Sequence, residues 1–269
     1  MSHRSKSILL WVLSFILMTG LAVYQRATGP TYPTRIKTVF EGTEVRARLI
    51  TSSDSEGDAL VKITAANTAI GGTYTYKRYK SHDEWQTADL IRDGDHLIAA
   101  LPHQAPAGKV MYTITLTGSA GELKMSEEPV VLRFKGKVPS FFLIPHIILM
   151  FLAMVFSTRA GMGALAREGN YFPLSLWTSI LLFSGGLFLG PLVQYHAFGE
   201  FWTGWPWGHD LTDNKTAIAM IFWIIALFRT RKYPDQRGWV MAAAAVLLAV
   251  YLIPHSVLGS EIDYTAAPE

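Results

Sequence analysis

Two patterns divide the chain. Residues 8–24, 141–157, 174–193, 216–228 and 239–253 are largely apolar runs, whereas residues 25–138 alternate apolar and polar positions in short bursts. Long apolar runs are the signature of membrane-crossing helices, which need about 20 residues to span the hydrocarbon. The runs at 216–228 and 239–253 fall short of that, so these helices begin earlier or rest on aromatic flanks in the interface. For 216–228, Thr212 and Asp213 are both good N-caps. The alternating region reads as short strands at 45–50, 59–65, 73–79, 97–100, 110–116 and 130–134. Gly71-Gly72, Asp93-Gly94 and Gly118-Ser119 punctuate them as turns. Six or seven such strands predict a β-sandwich of roughly 100 residues.

The expected organisation is therefore an N-terminal anchor over 1–24, a β-sandwich over 25–138, and a four-helix membrane domain over 139–269. An aromatic-rich loop at 194–215 belongs to the last. The first run follows the basic head His3-Arg4-Ser5-Lys6. Gln25-Arg26-Ala27-Thr28 makes a poor small-residue cleavage site, so an uncleaved anchor is expected over the alternative of a cleaved signal peptide. The stretch "HLIAALPHQAPAGKVMYTITLTG" resembles the late strands of a fibronectin type III or immunoglobulin-like domain. That resemblance implies Tyr112 as the corner tyrosine and implies nothing about ligand.

Charge supplies an orientation. Arg4 and Lys6 precede the first run, Arg159 and Arg167 follow the second, and Arg229, Arg231, Lys232 and Arg237 separate the last two. Residues 194–215 carry Glu200, Asp210 and Asp213 against Lys215 alone. If all five runs span, every basic connection lies on one side, which is the cytoplasmic side. The expectation is a plasma (inner) membrane protein with a cytoplasmic N-terminus and an extracytoplasmic sandwich and C-terminus. The net charge of +3 reflects this distribution, and no nucleic-acid partner is expected. The absence of cysteine excludes disulfides, thiol catalysis and covalent heme attachment to this chain.

This topology brings four of the eight histidines to the outer membrane face: His146, His196, His209 and His255. An imidazole at that depth is costly without a partner, and two from different helices can hold heme iron from both sides. The bland alternative is that each bonds a headgroup or a carbonyl. Trp202, Trp205 and Trp207 crowd one loop beside Tyr195, Phe198 and Phe201, with Gly199, Gly204 and Gly208 between them. Such rings form either an interface belt or a platform for a flat ligand.

The segment "FGEFWTGWPWGHDLTDNKTAIAMIFWIIALFRTR" is similar to the tryptophan-rich signature of the heme-handling proteins of cytochrome c biogenesis. Gly199, Phe201, Trp202, Trp207, Asp210, Lys215 and Thr216 match the motif, and His146 and His255 take the places of its flanking ligands. The resemblance covers about residues 140–262. The tract here is longer, Asn214 replaces a glutamate, and the second histidine pair that some members carry inside the bilayer is missing. The resemblance implies non-covalent b-type heme at the outer face, with His146 and His255 as axial ligands and His196 or His209 as substitutes. Trp202, Trp205, Trp207, Phe201, Gly199 and Asp210 would line the heme, for cytochrome assembly or electron transfer.

Two other function classes stay open. One is a cofactor-free accessory subunit, its sandwich docking a protein partner and its aromatics anchoring in lipid. The other is a metal or proton site built from Glu200, Asp210, Asp213, Glu261 and Asp263. No Walker loop, G-x-S-x-G elbow, H-E-x-x-H or paired-cysteine motif is present, and an enzyme is not the expectation. Gly186 and Gly190 form a G-x-x-x-G pattern expected to serve close helix packing.

Overall fold

The computed structural model describes residues 2–254 and 261–266, and its contacts divide the chain into two units. One is formed by Met1–Gly29 with Val138–Gly259, the other by Pro30–Lys137 with Ser260–Glu269.

In the helical unit, Ser2 caps α1 (His3–Thr28), its hydroxyl accepting from the Ser5 N–H at 3.2 Å. α2 spans Ser140–Ala166. α3 (Tyr171–Leu182), a π-helical segment (Phe183–Leu189) and α4 (Gly190–Phe198) follow one another as a continuous helical run of 28 residues. α5 (Leu211–Lys232) and α6 (Gly238–Leu252) complete the unit. α1, α2, the α3–α4 run and α5 are long and apolar enough to cross a bilayer, whereas α6 has only 15 residues. The α5 helix gains its length at the start, with Asp210 as N-cap where Thr212 or Asp213 was expected.

The π segment has a covalent cause. Pro191 has no N–H to return to the carbonyl of Leu187, and the Gly190 N–H bonds five residues back, to Gly185. Close packing uses glycine on two helices. A Cβ on Gly161 of α2 would lie 2.7 Å from Ala244 of α6, and one on Gly186 would lie 2.8 Å from the Thr216 methyl of α5. Gly190 meets its neighbours at ordinary distances, so only half of the expected G-x-x-x-G pair is an approach point. Trp223 is fully buried in the core of this unit, which also holds small residues such as Ala153, Ala219 and Ala243. Arg159 lies inside α2, not in the connection after it. It is buried, and its Nη2 donates to the Ser7 hydroxyl of α1 at 3.2 Å.

The second unit pairs two sheets over one core. The first has the order β1 (Thr34–Phe40), β2 (Thr43–Leu49), β4 (Ala59–Ala65), β8 (His96–Leu101), β7 (Ile91–Asp93). The second runs β3 (Ser52–Ser53), β11 (Val130–Phe134), β9 (Lys109–Gly118), β5 (Gly71–Arg78), β6 (Gln86–Asp89), with β10 (Gly121–Lys124) added on β9. All pairings are antiparallel except β11 with β3. The alternation in sequence is the alternation in burial: Val45, Ala47 and Leu49, then Val61 and Ile63, then Leu97, Ala99 and Leu101 all enter the shared core. The β1–β2 turn holds Glu41 and Gly42 at φ of 52° and 68°, the positive pair that a two-residue hairpin favours.

Three expectations change here. The unit begins at Pro30 because α1 persists to Thr28, beyond the expected anchor end at residue 24. The fully buried Tyr112 donates to the carbonyl of Ile50, 62 residues upstream, at 3.0 Å, where a corner tyrosine bonds a few residues upstream. The C-terminal residues belong to this unit, not the helical one. The Ile262 N–H donates to Ala107 O at 3.3 Å, the Tyr264 N–H donates to Lys80 O at 2.9 Å, and Glu261 accepts from Lys80 and Lys109.

Candidate functional site

The histidine-bearing end of the helical unit gathers the starts of α2 and α5 with the end of α4. His146 sits in the second turn of α2, directly after Pro145. Its Nδ1 lies 2.8 Å from the carbonyl oxygen of Gly185, in the π segment. A carbonyl can only accept, so Nδ1 carries the proton, and in the neutral tautomer this leaves the ring lone pair at Nε2. The widened π turn sets this acceptor, and a side chain on Gly190 would come to 3.9 Å from the His146 ring.

His196 is helical, in the last turn of α4, so residues 194–198 extend the helix and the irregular loop is only 199–210. The His196 ring stacks on Phe142, one turn before His146, with centroids 5.3 Å apart. Tyr195 stacks on Phe201 at 4.3 Å and 9° between planes. Gly199 ends α4 in the left-handed conformation at φ 87°, its N–H donating to Tyr195 O. That is a helix-terminating role requiring glycine.

Asp213, in the first turn of α5, folds the loop down. Only 6% exposed, its carboxylate accepts from the Thr203 N–H at 2.7 Å, Gln194 Nε2 at 3.1 Å and the Thr203 hydroxyl at 3.4 Å. Asn214 Oδ1 accepts from the Trp205 N–H at 2.7 Å. Asp210 accepts from the N–H groups of Thr212 and Asp213, so its carboxylate caps α5. Gly204 and Gly208 make the turn possible: added Cβ atoms would sit 2.7 Å from Asp213 Cβ and 2.3 Å from the Thr203 carbonyl oxygen. The buried Lys215 points elsewhere, its ammonium donating to Ile253 O at the end of α6 at 2.8 Å. The negative end of the α6 dipole favours that cation.

The three loop tryptophans are held differently. Trp202 is partly buried, and its indole N–H donates to Trp205 O at 3.1 Å. Trp205 and Trp207 are 76% and 81% exposed, and His209 is exposed beside them. His255 lies outside the described residues, so its place relative to His146 is not defined. Among the described residues no group of three or more histidines and carboxylates could hold a bare metal ion. Glu261 and Asp263, expected near the histidines, are in the sheet unit, where Glu261 pairs with Lys80 and Lys109.

The sequence reading missed Phe142, Gly185, Gln194 and Thr203 as site residues. Each is ordinary in its own stretch and matters only through a partner distant in sequence. The Gly185-Gly186 pair before Pro191 was the one local hint of an irregular helix. No family model matches the chain, and no curated protein matches it in sequence.

Proposed function

We propose that this chain is an integral membrane protein that binds b-type heme non-covalently where α4 ends and α5 begins, with His146 as one axial ligand. The observation that carries this is the Nδ1–H to Gly185 carbonyl bond. Metal-ligating histidines characteristically donate the second ring nitrogen to a carbonyl or carboxylate, which fixes tautomer and orientation. His255 is the second ligand by the resemblance above. His196 and His209 are the substitutes among the described residues, and the His196 ring stacks on Phe142, one turn before His146. Two imidazoles suffice for iron already held by a porphyrin. Trp202, Trp205, Trp207 and Phe201 would supply apolar rings to hold the macrocycle, with Gly199, His209 and Asp210 in the loop that carries them. Bound heme supplies one-electron chemistry or is itself the cargo of a cytochrome assembly step.

The proposal includes five spans, a cytoplasmic N-terminus, an outer-facing immunoglobulin- or fibronectin-like sandwich, and residence in an inner membrane. The gathering of Arg4, Lys6, Arg229, Arg231, Lys232 and Arg237 at connections that would share one side supports the orientation.

The test is the absorption spectrum of the full-length protein from heme-replete cells. Reduced α and β bands are expected, lost or weakened at least about tenfold in hemin titrations of His146→Ala and His255→Ala. A colourless protein that leaves the spectrum of added hemin unchanged overturns heme binding. It would leave a cofactor-free accessory subunit, a class favoured by the two exposed indoles of Trp205 and Trp207 on a pinned loop.

A further inference from the structure

The outer face of the first sheet carries a charge pattern that its fold does not need. Register places Arg35 of β1 directly opposite Arg48 of β2, and Lys37 opposite Arg46. Next in the sheet, Arg46 faces Thr64 and Ala47 faces Ile63, so the ladder runs on toward Arg48 and Lys62. All five cations are exposed and line an open concavity of about 600 Å³. Glu44 is the one carboxylate among them, bonded to Lys37 at 2.7 Å and to Arg46. Among the described residues no carboxylate pairs with Arg35, Arg48 or Lys62. Arg35 has only the ring of Tyr32, 5.6 Å away. Along the neighbouring row the next acid, Asp93, sits on the far strand β7, opposite His96.

Like charges directly opposite each other destabilise an antiparallel pair. Lysine on an edge strand blunts aggregation, and β1 is an edge, but that does not explain Arg48 and Lys62 on the inner strands. Cations held against repulsion around a concavity are the mark of a surface built for an anion. The recess distinguishes its source. A lipid headgroup plane is flat, whereas side-chain carboxylates at the strand period of two enter a groove lined at 35 and 37, 46 and 48, and 62.

We propose that the outer face of β1, β2 and β4 is a docking groove for an acidic segment of a partner protein. The row Arg35–Arg48–Lys62 is its uncompensated centre. The site does not depend on heme binding.

The test uses the full chain in neutral detergent and a fluorescent Glu–Thr repeat peptide, with Arg35→Thr/Arg48→Thr/Lys62→Thr as the variant. The wild type is expected to bind at low ionic strength and to lose affinity as salt rises. The triple variant is expected to bind about tenfold more weakly, the sum of three exposed charge pairs. Its thermal midpoint should hold or rise, because repulsion has been removed and threonine suits a strand. Equal binding by variant and wild type overturns the proposal, as does a lower midpoint, which would mean the cations serve the fold. Binding of phosphatidylglycerol nanodiscs or heparin without binding of the peptide also overturns it, in favour of a lipid or polysaccharide.

Discussion

The loop 199–210 and the tail 261–266 are both irregular segments in which one carboxylate makes several of the anchoring bonds, and the two sets of bonds differ in kind. Asp213 holds the loop from a buried position with neutral donors: a backbone N–H, a hydroxyl and an amide. Glu261 holds the tail from a side chain still 23% exposed, using two ammonium groups. In the first case, losing the acceptor leaves partly buried donors short of a partner, which costs up to about 1–3 kcal/mol per group. In the second, solvent and salt already compete, and exposed ion pairs contribute about 0–1 kcal/mol each. The loop is set rigidly enough to present a fixed surface. The tail is held conditionally.

The largest expected effect follows directly. Asp213→Ala should loosen the loop by about 1–3 kcal/mol, since the Thr203 N–H and Gln194 both lose this acceptor. Amide exchange at Thr203 and Trp205 measures it, and Asp213→Asn, which keeps an acceptor, should recover most of the protection. Protection unchanged in the alanine variant would mean the loop is held by its other bonds. Gly208→Ala comes next, at about 2 kcal/mol, because the atom it strikes is a backbone carbonyl that cannot rotate away. Tryptophan emission should shift with the loop, and a wild-type spectrum and stability would show that the turn yields freely.

The smallest effect belongs to the tail. Glu261→Gln should cost less than about 1 kcal/mol, and the difference from wild type should vanish in high salt. Burial alone would raise the Glu261 carboxyl, but hydrogen bonds from Lys109 and Lys80 outweigh it and hold it below its ordinary value. A lowered folded pKa means the fastening is complete above the ordinary carboxylate range, near ~4.3, and is lost as pH falls through the lower folded value. Exchange at Ile262 and Tyr264, corrected for intrinsic rates, should therefore accelerate only in acid. Salt-insensitive, pH-independent protection there would erase the contrast with Asp213. Elsewhere in the sheet unit the Arg78 guanidinium holds Asp83 at about 2, so that ion pair persists to lower pH.

Much of the architecture was legible because hydrophobic burial is read from a single chain. The apolar runs became helices and the six alternating stretches became β2, β4, β5, β8, β9 and β11. Strands β1, β3, β6, β7 and β10 escaped because they are short or largely exposed, with too few buried positions to print a period. The site was half legible. His146, His196 and the tryptophans stand out by type, but the contacts of His146 with Gly185 and of Gln194 with Asp213 join separate helices. The rings at 195–198 looked like loop only because aromatic density masks a helix end that Gly199 fixes.

The sequence alone determined that apolar runs bracket an alternating domain, that basic residues gather at particular connections, and that no cysteine chemistry is possible. Hydropathy, charge and composition act locally, so one chain suffices to state them. Only the tertiary structure decided which ring nitrogen of His146 carries the proton, that the Asp213 carboxylate reaches Thr203 and Gln194, that the tail joins the sheets, and that Arg35 faces Arg48. Each depends on bringing together groups distant along the chain, and hydrogen bonds and charges act only over the few ångströms that folding supplies.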